Sequence, residues 1–258
     1  MTDDNNVAKF AQRIKALAPK LPLSESELGV TYWQAHPRVR FVKTLGFGNK
    51  ILDIGAGPGM LAVFKTWLHP ARTDLEFYGV DLQIGARSGD YKDWEIVNLD
   101  QANPNFLGLM FDAFFLCHLI EHVMYPERIL AWCGERASPG ARIYVEWPSV
   151  NSARIPTSSE LEPHGIRIKP SNFFDDLTHK RIIRPQEMDG WLKASGFTII
   201  ESGFIDCGSI GEEILARSLL KDEENMDLNG YWSVTRWVYR ITAQKIDLER
   251  DPLSAFIS

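Results

Sequence analysis

Apolar and polar positions change period along the chain, and the change marks where helices give way to strands. Val7, Phe10, Ile14, Leu17 and Leu21 recur at helical spacing and predict a helix over 7–21, followed by a helical or mixed region over 24–45. From residue 50 onward, short apolar runs at 50–54, 77–80, 95–97, 111–116 and 142–146 read as buried strands. Stretches at 60–68 and 126–136 are amphipathic enough to be covering helices. A further helix over 185–195 begins with Pro185 and stops before Gly196, the expected start and stop asymmetry. Strands at 198–205 and 237–246 are expected as an antiparallel pair enclosing a helix over 212–220. This alternation predicts an α/β fold with a largely parallel sheet and helices on both faces. Residues 1–49 form an N-terminal helical cap and 50–258 the main domain. A stretch at 148–170, rich in Ser, Pro and Glu, opens a lid insertion at about 148–184, after the fifth strand.

Composition narrows the class. The 258 residues are 45% hydrophobic and 24% charged, which excludes disorder as the main state and leaves ample apolar side chain for a core. The formal charge of −6 sets a repulsive field against a phosphate backbone, so a nucleic-acid partner is not expected. Three cysteines, Cys117, Cys133 and Cys207, make no paired motif, which speaks for a reducing, cytoplasmic home. No leader-like apolar run follows the acidic first residues, and no segment approaches a membrane span of about 20 apolar residues.

The candidate chemistry begins at Ile51-Leu52-Asp53-Ile54-Gly55-Ala56-Gly57-Pro58-Gly59, which runs from a buried strand through a glycine turn toward a predicted helix. Glycines there let the backbone turn sharply and approach a ligand, and a helix N-terminus would add unpaired N–H groups. A dinucleotide fingerprint requires G-x-G-x-x-G, whereas this turn is G-x-G-x-G. Asp53 would sit badly beside a pyrophosphate but suits a ligand with an ammonium group, and S-adenosylmethionine carries one.

These residues resemble the class I S-adenosylmethionine-dependent methyltransferases, in which a D-x-G-x-G-x-G turn holds the methionine end of the cofactor. Gly79-Val80-Asp81-Leu82 matches the end of the second strand, where the family's acid takes both ribose hydroxyls. Asn98-Leu99-Asp100 matches the third strand end, near the adenine amino group. Cys117-His118-Leu119-Ile120-Glu121-His122-Val123 is similar to the L-E-H-V signature after the fourth strand, with Ile120 replacing leucine. Ser138-Pro139-Gly140-Ala141 is similar to the turn before the fifth. The resemblance implies a Rossmann-like, seven-stranded, mostly parallel sheet and S-adenosylmethionine as cofactor. It places cofactor contacts at Asp53, Gly55, Gly57, Gly59, Asp81, Leu82, Asp100 and Cys117.

His118-Leu119-Ile120-Glu121-His122 also spells H-x-x-E-H, a zinc-site pattern. That reading needs a sustained helix, which Pro126 opposes, and leaves the glycine turn unexplained; no metal site is expected.

Methyl transfer needs mainly in-line placement, and a base only where the acceptor carries an acidic proton. His118, at the mouth of the fourth strand and titrating near neutrality, is one candidate base, with a merely structural role the alternative. The second is His179, in Phe173-Phe174-Asp175-Asp176-Leu177-Thr178-His179-Lys180-Arg181. With Glu146-Trp147-Pro148, this D-x-T-H-x-R segment is similar to a methyltransferase subset associated with bacterial polysaccharide and lipopolysaccharide biosynthesis, with Leu177 where the subset has proline. Asp176, Arg181 and Trp147 are the expected substrate contacts. Asp176 and His179 pinning the lid by hydrogen bonds is the alternative. Tyr32, Trp33 and His36 are candidate pocket walls, although aromatics at such positions more often pack a core.

The expected function is methylation of a hydroxyl on a sugar or glycan-like small molecule. N- or C-methylation of a natural product or quinone-like ring stays open, as do a catalytically silent cofactor-binding partner subunit and pairing as a homodimer.

Overall fold

The computed structural model describes residues 4–221 and 227–246. The end of the expected main domain, 247–258, lies outside the described residues. Seven strands form one sheet in the order β3-β2-β1-β4-β5-β7-β6. They are β1 (Lys50–Ile54), β2 (Glu76–Asp81), β3 (Asp93–Ile96), β4 (Phe111–Cys117), β5 (Ala137–Pro148), β6 (Phe197–Phe204) and β7 (Val238–Lys245). The β1–β2, β1–β4, β2–β3 and β4–β5 pairs are parallel. The antiparallel β7 makes the sheet mixed. Strand order reverses between β1 and β4, and in open sheets of this kind ligands bind beyond the strand carboxyl ends at such a switch.

The helices are α1 (Asp4–Lys15), α2 (Glu25–Ala35), α3 (Pro37–Lys43), α4 (Pro126–Arg136), α5 (Ser158–Leu161), α6 (Pro185–Ala194), α7 (Gly208–Leu220) and α8 (Leu228–Thr235). Ser24 opens α2 with a capping box to Glu27, and α2 ends at His36 immediately before Pro37, which cannot supply a helical N–H; the region expected over 24–45 is therefore two helices. Pro126 sits in the first turn of α4, whose buried face carries Ile129, Leu130, Trp132 and Cys133.

The chain divides into two compact units. One holds Phe41–Trp147, Pro185–Ser202 and Arg240–Ser258 and has its core on the central strands. There Ile51, Leu52, Phe77, Phe111, Phe114 and Ile143 are buried, and each such side chain contributes roughly 1.5–3 kcal/mol by leaving water. The strands' near-continuous apolar runs reflect burial on both faces. The other unit holds Met1–Arg40, Pro148–Arg184 and Gly203–Tyr239. Its core gathers Ala11 and Ile14 of α1, Leu161, Ile166 and Ile168 of the lid segment, Leu215 of α7, Tyr231 of α8 and Trp237. Trp232 and Trp237 stack at 4.7 Å. Among the described residues no helix is long and apolar enough to cross a membrane.

One expected element changes kind. The helix expected over 60–68 is a six-residue 3-10 segment, Met60–Lys65. Its start, Gly59, is left-handed with φ 86°, and the 60–68 run is rich in bulky Val63, Phe64 and Trp67, a poor basis for a regular helix.

Candidate active site

The glycine turn follows β1 at the switch. Gly55, Gly57 and Gly59 all have positive φ, 74°, 54° and 86°, which side-chain-bearing residues rarely adopt. At Gly55 the requirement is also steric, since a Cβ there would come within 2.9 Å of the Leu119 side chain. The loop after β4 therefore lies directly against the turn. At Gly57 a Cβ would meet nothing within 4 Å, so the chain leaves open space at the middle of the turn.

The backbone donors of this turn are not the ones expected. Gly55 and Ala56 donate to Val80 O at 2.8 and 3.0 Å, and Gly59 donates to Ala56 O at 2.9 Å. Gly57 donates to Asp81 Oδ2 at 2.7 Å. With these N–H groups engaged and only a short 3-10 segment following, a pyrophosphate finds few backbone donors here. Asp53 beneath it is buried and accepts the Tyr91 hydroxyl at 2.7 Å. Burial and that neighbouring carboxylate push the Tyr91 hydroxyl up, so it stays a donor.

Asp81, at the end of β2, and Asp100 are half-buried; β3 stops at Ile96, so Asp100 lies in a turn beyond the strand end where the sequence placed it. Asp81 accepts the Leu82 N–H at 2.7 Å with Oδ1, besides Gly57 with Oδ2. Each oxygen keeps a second acceptor direction. Leu82 beside it is 68% exposed, an apolar side chain left in water next to a carboxylate, a combination that suits a nucleoside. Asp100 Oδ1 accepts the Met124 N–H at 2.7 Å and so joins the β3 side to the segment after β4.

At the end of β4, His118 has φ 50°, a left-handed conformation of the kind that concentrates at functional sites. Its ring lies between two buried carboxylates: Nδ1 is 3.3 Å from Glu121 Oε1 and Nε2 is 3.2 Å from Glu146 Oε1. Burial lowers the pKa of His118, but the hydrogen bonds and charges of Glu121 and Glu146 outweigh it and raise the group to about 9. His118 does not titrate near neutrality as the sequence suggested; it is held charged. The Cys117 thiol donates to Glu146 Oε1 at 2.9 Å, and the Tyr144 hydroxyl to Oε2 at 2.5 Å. The Cys117 thiol, His118 imidazole and Glu146 carboxylate offer atoms within 4.8 Å of one another, a set of groups of the kind that could hold a metal ion. Residues 118–122 form a turn and not the helix that the two histidines of an H-x-x-E-H zinc motif would need.

The lid segment places the other candidates. His179 Nδ1 lies 2.6 Å from the Phe173 carbonyl, and its ring stacks on Phe173 at 4.4 Å. A carbonyl only accepts, so Nδ1 carries a proton, and Nε2 lies 3.9 Å from Asp176 Oδ2. Asp176 Oδ1 accepts from the Thr178 N–H at 2.8 Å and hydroxyl at 2.6 Å, closing a local turn. Arg181 is half-buried. Trp147 is fully buried in β5, so it packs the core and presents no surface to a substrate. Tyr32, Trp33 and His36 form a compact cluster, with ring centroids 4.9 to 5.4 Å apart, in which Tyr32 and His36 are buried.

Tyr91 was not singled out by the sequence, and Glu121, Glu146 and Asp175 appeared there only within motifs, without the roles the structure gives them. For Glu146 a signal existed: it interrupts Ile143-Tyr144-Val145-Glu146-Trp147, and a carboxylate inside a buried apolar run needs partners.

A mixed sheet in this order, with a glycine turn after the first strand and an acid at the end of the second, is the architecture of an S-adenosylmethionine-dependent methyltransferase. The chain belongs to the methyltransferase-domain family, whose model matches residues 7–202. It is 24% identical over 203 residues to a ubiquinone biosynthesis O-methyltransferase of Nitrosococcus oceani, covering 76% of this chain and 83% of that protein. To the enzyme of the same description from Azotobacter vinelandii it is 24% identical over 213 residues, covering 76% and 84%. Among solved structures it resembles a SAM-dependent methyltransferase from Archaeoglobus fulgidus, with TM-score 0.52, 18% identity and 84% and 94% of the two chains covered. A methyltransferase from Mesorhizobium loti gives TM-score 0.53 at 17% identity, covering 81% and 96%. Methyl transfer from S-adenosylmethionine is thus the protein's chemistry.

Proposed function

We propose that the chain methylates a hydroxyl oxygen of a small, sugar- or glycan-like acceptor, with His179 taking the hydroxyl proton. S-adenosylmethionine supplies a methyl group already activated on a positively charged sulfur. In this reading Asp81 accepts the ribose hydroxyls, Leu82 lies against the nucleoside, and Asp100 faces the adenine amino group. The glycine turn over Asp53, with Cys117 at the end of β4, receives the methionine end. His118, held charged by Glu121 and Glu146, is no proton acceptor at neutral pH; it braces the loop that packs against Gly55. Asp176 and Arg181 remain the proposed acceptor contacts.

The observation that carries the reading is the His179 ring, buried to 5% side-chain exposure and oriented by the Phe173 carbonyl at Nδ1. An alcoholic hydroxyl needs such a base, since its proton is held tightly. The sugar-like acceptor is supported by the likeness of Glu146-Trp147-Pro148 and Asp176-Leu177-Thr178-His179-Lys180-Arg181 to the polysaccharide-associated subset. A second reading, methylation of a phenolic hydroxyl on a quinone precursor, is favoured by the description of the Nitrosococcus and Azotobacter relatives. Methyl transfer to simple glycosides and to catechol, measured with the unaltered chain and with His179→Gln, separates the two. Transfer to a glycoside that collapses in the variant supports the first. Transfer to catechol alone, little changed in the variant, supports the second and removes His179 as base.

A further inference from the structure

The carboxylate of Asp175 collects more hydrogen bonds than a surface turn needs. Its Oδ2 lies within hydrogen-bond distance of the Ser158 hydroxyl at 2.7 Å and N–H at 3.0 Å, the Ser171 N–H at 2.9 Å and the Asn172 N–H at 2.8 Å, and of the Ser171 hydroxyl at 3.0 Å, whose proton the Pro156 carbonyl shares at 2.9 Å. Two stretches of the lid segment, around 158 and around 171, are thereby tied to one side chain. The turn that carries it, Phe173–Asp175, is closed further by Asn172, whose Oδ1 accepts the Phe174 N–H at 2.8 Å and whose Nδ2 donates to the Ile155 carbonyl. Phe173 stands at the head of this turn. Its N–H is fixed on Ser152 O at 3.1 Å, its carbonyl holds His179 Nδ1, and its ring stacks on the imidazole.

We propose that Asp175 is a positioning residue for His179: by pinning this turn it holds the Phe173 carbonyl and ring where they fix the imidazole's orientation and its proton on Nδ1. A carboxylate suits this place because the N–H groups of Ser158, Ser171 and Asn172 only donate. An amide would lose the charge that strengthens these bonds and would turn its NH2 toward the Ser158 N–H, which lies 3.2 Å from Oδ1. Burial raises the Asp175 pKa, and the bonds from Ser158, Asn172 and Ser171 outweigh it, leaving the group below the usual carboxylate value and charged in the fold. The consequence for catalysis rests on the proposed role of His179, whereas the consequence for the ring itself does not.

Long-range proton–nitrogen spectra of the histidine rings in the full-length chain test this directly. In the unaltered chain the neutral His179 ring is expected as the Nδ1–H form alone. In Asp175→Asn a second, Nε2–H form should appear, and Ser158→Ala should move the ring in the same direction by less. S-adenosylhomocysteine affinity, read by calorimetry, should stay within about twofold in both variants and shows that they fold; if Asp175→Asn does not bind it, Ser158→Ala decides. A His179 ring left wholly in the Nδ1–H form by the deciding variant would overturn the proposal. A ring that changes form in Asp175→Asn, in an enzyme whose His179→Gln variant still methylates, would instead leave the positioning intact and remove the base.

Discussion

The end of β2 and the lid segment employ their carboxylates differently. In the unit built on the central strands, Asp81 at the end of β2 is half-buried and accepts one backbone donor on each oxygen, while Asp100, in the turn beyond β3, accepts the Met124 N–H. In the unit containing the lid segment, acids are consumed internally. Asp175 gathers donors from Ser158, Ser171 and Asn172, and Glu213 of α7 accepts the Lys20 and Leu21 N–H groups at 2.6 and 3.0 Å while holding Arg217 at 2.7 Å. A buried strand satisfies its backbone through the ladder and frees its terminal side chains. A long irregular segment has no ladder, and its side chains must satisfy the backbone instead.

Substitutions can break or sharpen that contrast. The largest expected effect is His179→Gln, which should cut turnover on an alcoholic acceptor by about 10²- to 10⁴-fold, with donor affinity unchanged. Equal losses in both would place His179 in donor binding. Next, Asp81→Ala should weaken S-adenosylmethionine by about 10- to 100-fold in a calorimetric titration, as expected for one or two lost charge-assisted hydrogen bonds. An unaltered affinity would move the ribose elsewhere.

The clamp on His118 gives a prediction in pH. A histidine raised in the fold from its ordinary 6.5 to about 9 contributes stability that is fully present below pH 6.5 and lost as pH rises through about 9. The contribution is at most roughly 3 kcal/mol. Glu146→Gln should lower the His118 midpoint seen by NMR and flatten the loss of stability between those limits. A midpoint near 6.5 in the unaltered chain would refute the clamp. The smallest effect is Tyr91→Phe, which removes the hydroxyl bond to buried Asp53 and should cost about 1–2 kcal/mol in denaturant unfolding.

Much of the sheet was legible because buried parallel strands write continuous apolar runs. The first strand was expected over the residues it occupies, and the fourth falls one residue short of its observed end at Cys117. Elements whose form depends on distant contacts were not. The segment after the glycine turn reads as amphipathic yet stops as a short 3-10 stretch, and α8 was not anticipated. At the site, the glycine spacing and strand-end acids are local and readable. The protonation of His118 depends on Glu146, 28 positions away in the sequence and brought alongside by the β4–β5 pairing of Cys117 with Glu146. The work of Asp175 depends on Ser158 across a loop of irregular chain, which no periodicity records.

Calorimetric titration of the purified chain with S-adenosylmethionine and, in parallel, with NAD⁺ tests the central claim that the glycine turn receives a sulfonium nucleoside and not a pyrophosphate. Saturable one-to-one heat with S-adenosylmethionine and none with NAD⁺ is the expected result; silence with the first, or tighter binding of the second, would contradict it.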